Sequence, residues 1–205
     1  MSAWFGVLLQ LYLSLRTGFE PGKSVVYGFV MYLGYFTVLT NLFVAIGLTW
    51  SRLLPASSGG HFFGRPDVLA TMTASIFMVG LAYHFLLRHV WNPQGLNWVA
   101  DFVLHYATPL SCCAYWWINA PKQTLSWVGP LGWSLYPLAY LAYALIRGEL
   151  LEVYPYHFID VGQLGWAKTL RNSAGLLIVF LVIGLGMVVL AKLQTRRRSP
   201  AAPPE

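Results

Sequence analysis

Apolar residues run through this chain in long blocks separated by short polar stretches, not in the alternation that half-buried strands require. The blocks cover residues 4–15, 25–50, 68–87, 96–118, 127–146 and 173–193. Five of them are long enough to cross a hydrocarbon core of about 30 Å, which takes roughly 20 helical residues. The block at 4–15 is short and fits either a sixth span or a helix lying in the interface. In lipid every backbone polar group must be satisfied internally, so the blocks predict helices. The expected fold is all-α: a polytopic bundle of about six transmembrane helices over residues 1–195, followed by a disordered basic and proline-rich cytoplasmic tail at 196–205. Pro137 predicts a kink in the fifth helix. Trp50, Trp91, Trp98, Trp116, Trp117, Trp127 and Trp166 fall near block ends, where aromatic belts meet the headgroups.

Composition agrees with that class. Apolar types make up 57% of the 205 residues and charged types 10%, against about 25% charged in a soluble domain. The net charge of +6 sits in loops and in the tail, with no basic face of interleaved aromatics, so no nucleic-acid partner is expected. Cys112 and Cys113 are neighbours without a C-x-x-C spacing, and no disulfide framework follows from them. No basic region precedes the first apolar run and no small-residue cleavage site follows it, which argues against a cleavable signal peptide. Lys and Arg are nearly balanced between the two sides. Arg52, Arg65, Lys122, Lys192, Arg196, Arg197 and Arg198 face Arg16, Lys23, Arg88, Arg147, Lys168 and Arg171 across the predicted membrane. The cluster in the tail places the C-terminus in the cytoplasm.

Candidate chemistry concentrates in the fourth block. Asp101, His105, Thr108 and Cys112 fall at i, i+4, i+7 and i+11, on one helical face. A carboxylate and an imidazole at membrane depth mark a functional site. Asp101 either orients His105, as the third member of a triad does, or pairs with Arg88 at headgroup level. In the second block Thr37 and Asn41 share a face, with Thr40 beside them. A threonine hydroxyl needs a base within reach to act as a nucleophile. The second and fourth helices run in the same direction, and His105 can share a depth with Thr37. The alternative for Thr37 is a back-bond to the carbonyl four residues earlier. His84 is either a bundle histidine or a lining residue, and Arg88 either snorkels or binds a fatty carboxylate. Tyr136, Tyr140 and Tyr143 stripe the fifth helix and read as packing. The segment 147–172 carries Glu149, Glu152, His157 and Asp160 among aromatics, and fits a binding loop or a solvated connection.

The segments YFTVLTN, DFVLHYATPL and EVYPYHFID, in that order, resemble the androgen-induced-gene family of multi-pass membrane threonine hydrolases, which cleave fatty acid esters of hydroxy fatty acids. The resemblance implies Thr37 as nucleophile and His105 as base, with Tyr154-Pro155-Tyr156 as the element before the last span. It implies a bacterial relative in the plasma (inner) membrane, with membrane lipids and a lipid ester as partners and no cofactor or metal. Asp101 joins the expected catalytic set, and Asn41, His84, Arg88, Tyr154 and His157 are expected to line the substrate. Two other classes stay open. One is a non-catalytic lipid-binding or small transport protein, although no internal repeat or pair of broken helices is evident. The other is a metal- or haem-binding protein, for which His84, His89, His105, His157, Asp101 and Asp160 supply ligand types without ligand spacing.

Overall fold

A computed structural model describes residues 2–198, and among these it holds helices and turns with no strand. Helix α1 (Ser2–Arg16) returns through a 3₁₀ turn (Thr17–Phe19) into α2 (Val25–Leu33), and the two pack on each other. They cross closely at Gly28, where a Cβ would lie 2.2 Å from the Ser14 carbonyl oxygen.

The block at 25–50 was expected to form one span, and the structure divides it. The chain leaves α2 at Gly34, passes through an extended Tyr35 (φ −91°, ψ 130°), and restarts as α3 (Phe36–Leu53). Such a break exposes carbonyls that in an apolar environment cost several kcal/mol each if left unpaired. A neighbouring helix supplies the donors. On α9 (Leu135–Leu151), the Tyr140 hydroxyl donates to Gly34 O at 2.9 Å and the Tyr143 hydroxyl to Leu33 O at 3.2 Å. The Arg147 guanidinium donates to Val30 O at 3.3 Å. These donors fall at i, i+3 and i+7, on one face of α9. The tyrosine stripe is therefore a cap on a broken helix as well as packing. Arg147, expected among the loop charges, is only 6% exposed.

After a short α4 (Ser58–Phe63), α5 (Pro66–Ala82) forms the centre of the bundle and packs against its neighbours α3, α7 and α11. Its Ala70, Ala74 and Ile76 are fully buried against a core that includes Val44, Phe180 and Val188; small residues let membrane helices approach closely. A π-turn (Tyr83–Leu87) continues α5. Next, α6 (Leu96–Phe102) runs through a second π-turn (Val103–Ala107) into α7 (Thr108–Asn119) without interruption. The expected fifth helix is divided: α8 (Gly129–Trp133) ends at Ser134 and α9 begins anew. Pro137 thus lies in the first turn of α9, where its missing N–H costs nothing, and not at a mid-helix kink. After α10 (Val161–Leu164), α11 runs from Trp166 to Arg198, starting earlier than 173 and continuing through the first residues of the expected tail. The remainder of that tail, 199–205, lies outside the described residues.

Three helical stretches are long and apolar enough to cross a membrane: Phe36–Leu53, Pro66–Leu87 and Trp166–Arg196. On α11, Ile178, Val182, Leu185 and Val189 are exposed at helical spacing, an outward apolar stripe that suits lipid.

Candidate active site

The helix break decides what the Thr37 hydroxyl does. Threonine and serine inside these helices habitually bond back one turn: Thr49 to Ala45 O, Thr71 to Asp67 O, Thr73 to Leu69 O and Ser173 to Thr169 O. Thr37 is the second residue of α3, so the residue four earlier is Leu33, beyond the break, whose carbonyl accepts Tyr143. The Thr37 hydroxyl instead lies 3.3 Å from His105 Nε2.

His105 is set in place by Pro109. Proline has no N–H for an i−4 or i−5 partner. Thr108 N–H bonds Val103 O, five residues back, which widens the helix into a π-turn. Leu104 O is then left without an intrahelical donor, because residue 109 carries no N–H. Asn41 supplies one. Its Nδ2 donates to Leu104 O at 3.2 Å and to Thr37 O at 2.8 Å, and its side chain is wholly buried. One carboxamide thereby ties the helix of the hydroxyl to the helix of the imidazole. Gly80 on α5 lets the same turn approach; a Cβ there would stand 3.1 Å from His105 O. π-Turns of this kind recur at functional sites, and this site has two.

The second ring nitrogen fixes the tautomer. His105 Nδ1 lies 2.9 Å from the backbone carbonyl of Asp101 and 3.3 Å from its Oδ1. A carbonyl only accepts, so Nδ1 carries the proton, and in the neutral ring Nε2 presents a lone pair to the Thr37 hydroxyl. Asp101 also accepts a short hydrogen bond from the Tyr83 hydroxyl, and the Tyr83 ring stacks on His105 with centroids 4.0 Å apart and planes at 16°. The alternative pairing of Asp101 with Arg88 is not formed; Arg88 Nε donates to His89 Nε2 at 2.9 Å. Tyr83 was not singled out from the sequence, where it is one aromatic among many beside the more conspicuous His84.

Tyr156 completes the group. Thr37 N–H donates to the Tyr156 hydroxyl at 3.3 Å, at the start of a helix that has no side-chain cap. Burial pushes the Tyr156 phenol above its ordinary range, so the hydroxyl keeps a proton to donate. The residues expected to line the substrate on either side of it stand elsewhere. Tyr154 packs over Gly148 and donates to Glu149 Oε2 at 3.1 Å. His157 is exposed, edge-on to Phe158. His84 Nδ1 is 3.2 Å from the Tyr106 hydroxyl. Thr108 and Cys112, on the face of Asp101 and His105, are buried below the site, with Cys112 Sγ 3.7 Å from Thr73 Oγ1.

Two cavities meet here. A chamber of about 540 Å³ is lined by Thr37, Tyr83, Asp101, His105 and Tyr156. A smaller apolar cavity of about 110 Å³ reaches Thr37 and Tyr156 from the other side. Asn41, His84, Arg88, Tyr154 and His157 line neither. Among the described residues, no three of His, Cys, Asp and Glu stand together as a metal site. Compared with models of known families, with curated proteins and with solved structures, the chain matches none of them.

Proposed function

We propose that this protein is an intramembrane lipid esterase, a six-span membrane bundle with a cytoplasmic C-terminus, in which Thr37 is the nucleophile and His105 the general base. The carrying observation is the Thr37 Oγ1 to His105 Nε2 approach of 3.3 Å, with Nδ1 already protonated towards Asp101. A helical threonine with its hydroxyl free of a back-bond, facing an unprotonated ring nitrogen, is the arrangement that proton abstraction requires. The resemblance of YFTVLTN and DFVLHYATPL to the androgen-induced-gene hydrolases supports the same pair of residues.

In this reading His105 Nε2 takes the hydroxyl proton as Thr37 Oγ1 attacks the ester carbonyl carbon. The imidazolium is steadied by Asp101, whose carboxylate Tyr83 holds in place. The oxyanion forms beside the Tyr156 hydroxyl and the positive N-terminal end of α3. Collapse breaks the bond to the alcohol oxygen, which leaves with the proton from His105. Water then attacks the threonyl ester with the same base, releasing the carboxylic acid and restoring Thr37.

A fluorophosphonate probe on purified, detergent-solubilised protein tests this. It labels wild type and Thr37→Ser and spares Thr37→Ala, and His105→Ala loses roughly 10²–10⁴-fold in ester hydrolysis, the usual worth of a general base. Equal labelling of wild type and Thr37→Ala, with no ester hydrolysed, overturns the esterase and leaves a lipid-binding protein.

A further inference from the structure

Thr37 stands in the partition between two cavities, one apolar and one with a mixed wall. The chamber of about 540 Å³ has a mixed wall, in which Asp101, His105, Gln10, Ser14 and Asn97 stand among Leu13, Met31, Val90 and Trp91. The cavity of about 110 Å³ is walled by Phe36, Met78, Leu141, Leu177 and Phe180. Thr37, Leu87 and Tyr156 line both.

An ester carbonyl bears its acyl chain on one side and its alkoxy group on the other. A nucleophile attacking from the partition therefore directs the two into different cavities. Which goes where follows from the base. The alcohol oxygen must receive its proton from His105, and water for the second step must reach the same nitrogen. His105 and Asp101 line the chamber only. The departing alcohol must then occupy the chamber, and the acyl chain the apolar cavity.

We propose that the apolar cavity between α5, α9 and α11 is the acyl-chain subsite and the chamber the alcohol subsite, so that the substrate is an ester of a fatty acid with an alcohol that carries a further polar group. This rests on the Thr37–His105 esterase reading. An alcohol with no further polar group is disfavoured, because it would cover Gln10 and Asn97 without offering them a hydrogen bond. The α9–α11 contact is sparse and both helices expose apolar side chains to the surroundings, which gives the hydrocarbon chain a lateral way in from lipid.

The full chain in detergent is assayed on monoacylglycerols from butyrate to palmitate, and on the methyl esters of the same acids. Ala82→Phe and, as a second variant in case the first misfolds, Leu177→Trp both fill the apolar cavity. Each is expected to lower the palmitate-to-butyrate ratio of kcat/KM roughly tenfold or more, as steric rejection of a few methylenes does. Gln10→Trp fills the chamber and is expected to lower the glyceryl-to-methyl ratio instead, with little change in chain-length preference. The opposite pairing, in which Gln10→Trp moves the chain-length ratio and the cavity variants move the alcohol ratio, overturns the assignment. So does a folded set of variants that moves neither ratio while Thr37→Ala abolishes hydrolysis, an outcome that leaves the esterase standing. If wild type hydrolyses none of these esters but takes the fluorophosphonate label at Thr37, the subsite assignment falls and the esterase stands; if it does neither, the two fall together.

Discussion

Asn41 donates to the Leu104 carbonyl at 3.2 Å, and that carbonyl is available only because Pro109, five residues further on, has no N–H to offer it. The same carboxamide holds Thr37 O at 2.8 Å. Removing it leaves the Leu104 carbonyl unpaired in a buried setting, at about 1–3 kcal/mol, while Thr37 O, inside α3, keeps the backbone N–H of its own helix. Asn41→Leu, which keeps the branched shape of the side chain without its hydrogen bonds, is expected to lower the melting temperature in detergent and to cost more activity than the loss of folded protein explains. A variant as stable and as active as wild type would show that Asn41 ties nothing together.

Pro109→Ala tests the cause of the π-turn. With an N–H restored at position 109, the turn can relax towards regular α-geometry, and Leu104 or His105 regains an intrahelical donor. A helix rotates about 100° per residue, so losing the one-residue offset swings His105 away from Thr37. The variant is expected to be at least as thermostable as wild type yet nearly inactive. Full activity with the π-turn lost would mean that His105 does not need this placement.

The break between α2 and α3 predicts a third outcome. Tyr140→Phe and Tyr143→Phe each remove one donor to the freed carbonyls of Gly34 and Leu33, at about 1 kcal/mol net per bond. Arg147→Met removes the donor to Val30 and a second bond, to Val153 O at 3.1 Å, which fixes the chain leading to Tyr156. The double tyrosine variant is expected to destabilise roughly additively, and Arg147→Met more than either single tyrosine change. Unchanged melting in all three would remove the capping role of α9.

How legible this was varied with the physical signal. The helical class and three of the long spans follow from hydrophobic blocks, because lipid forces backbone groups into helices. The i, i+4 spacing places Asp101 and His105 on one face, but it leaves open the pairing of Asp101 with Arg88, which only the helix packing decides. The break at Gly34–Tyr35 does not: no proline marks it, and the donors that make it tolerable lie more than a hundred residues away, at Tyr140, Tyr143 and Arg147. Read locally, those three are a packing stripe and a loop charge. Tyr83 and Tyr156 are hidden for the same reason. Their roles come from ring stacking and hydroxyl contacts between helices, and a sequence with 12 tyrosines offers no local mark that separates them from Tyr154. Asn41 was visible as a polar neighbour of Thr37, but its partner, an orphan carbonyl created by Pro109, exists only once the helices meet.

Tyr156→Phe addresses the chemistry most directly. The ring keeps its contacts in this variant: stacked on Phe158 at 5.1 Å and edge-on to Tyr35 at 5.9 Å. Only the hydroxyl beside Thr37 N–H is lost. If that hydroxyl donates to the oxyanion, kcat falls roughly 10²–10³-fold, the usual worth of one such donor, with KM little changed. A trifluoromethyl ketone, which adds the Thr37 oxygen and carries a real oxyanion, should bind more weakly by a similar factor. A non-hydrolysable ether analogue, which carries no developing charge, should bind as it does to wild type. If the ketone and the ether weaken together, the hydroxyl shapes the pocket and does not stabilise the transition state.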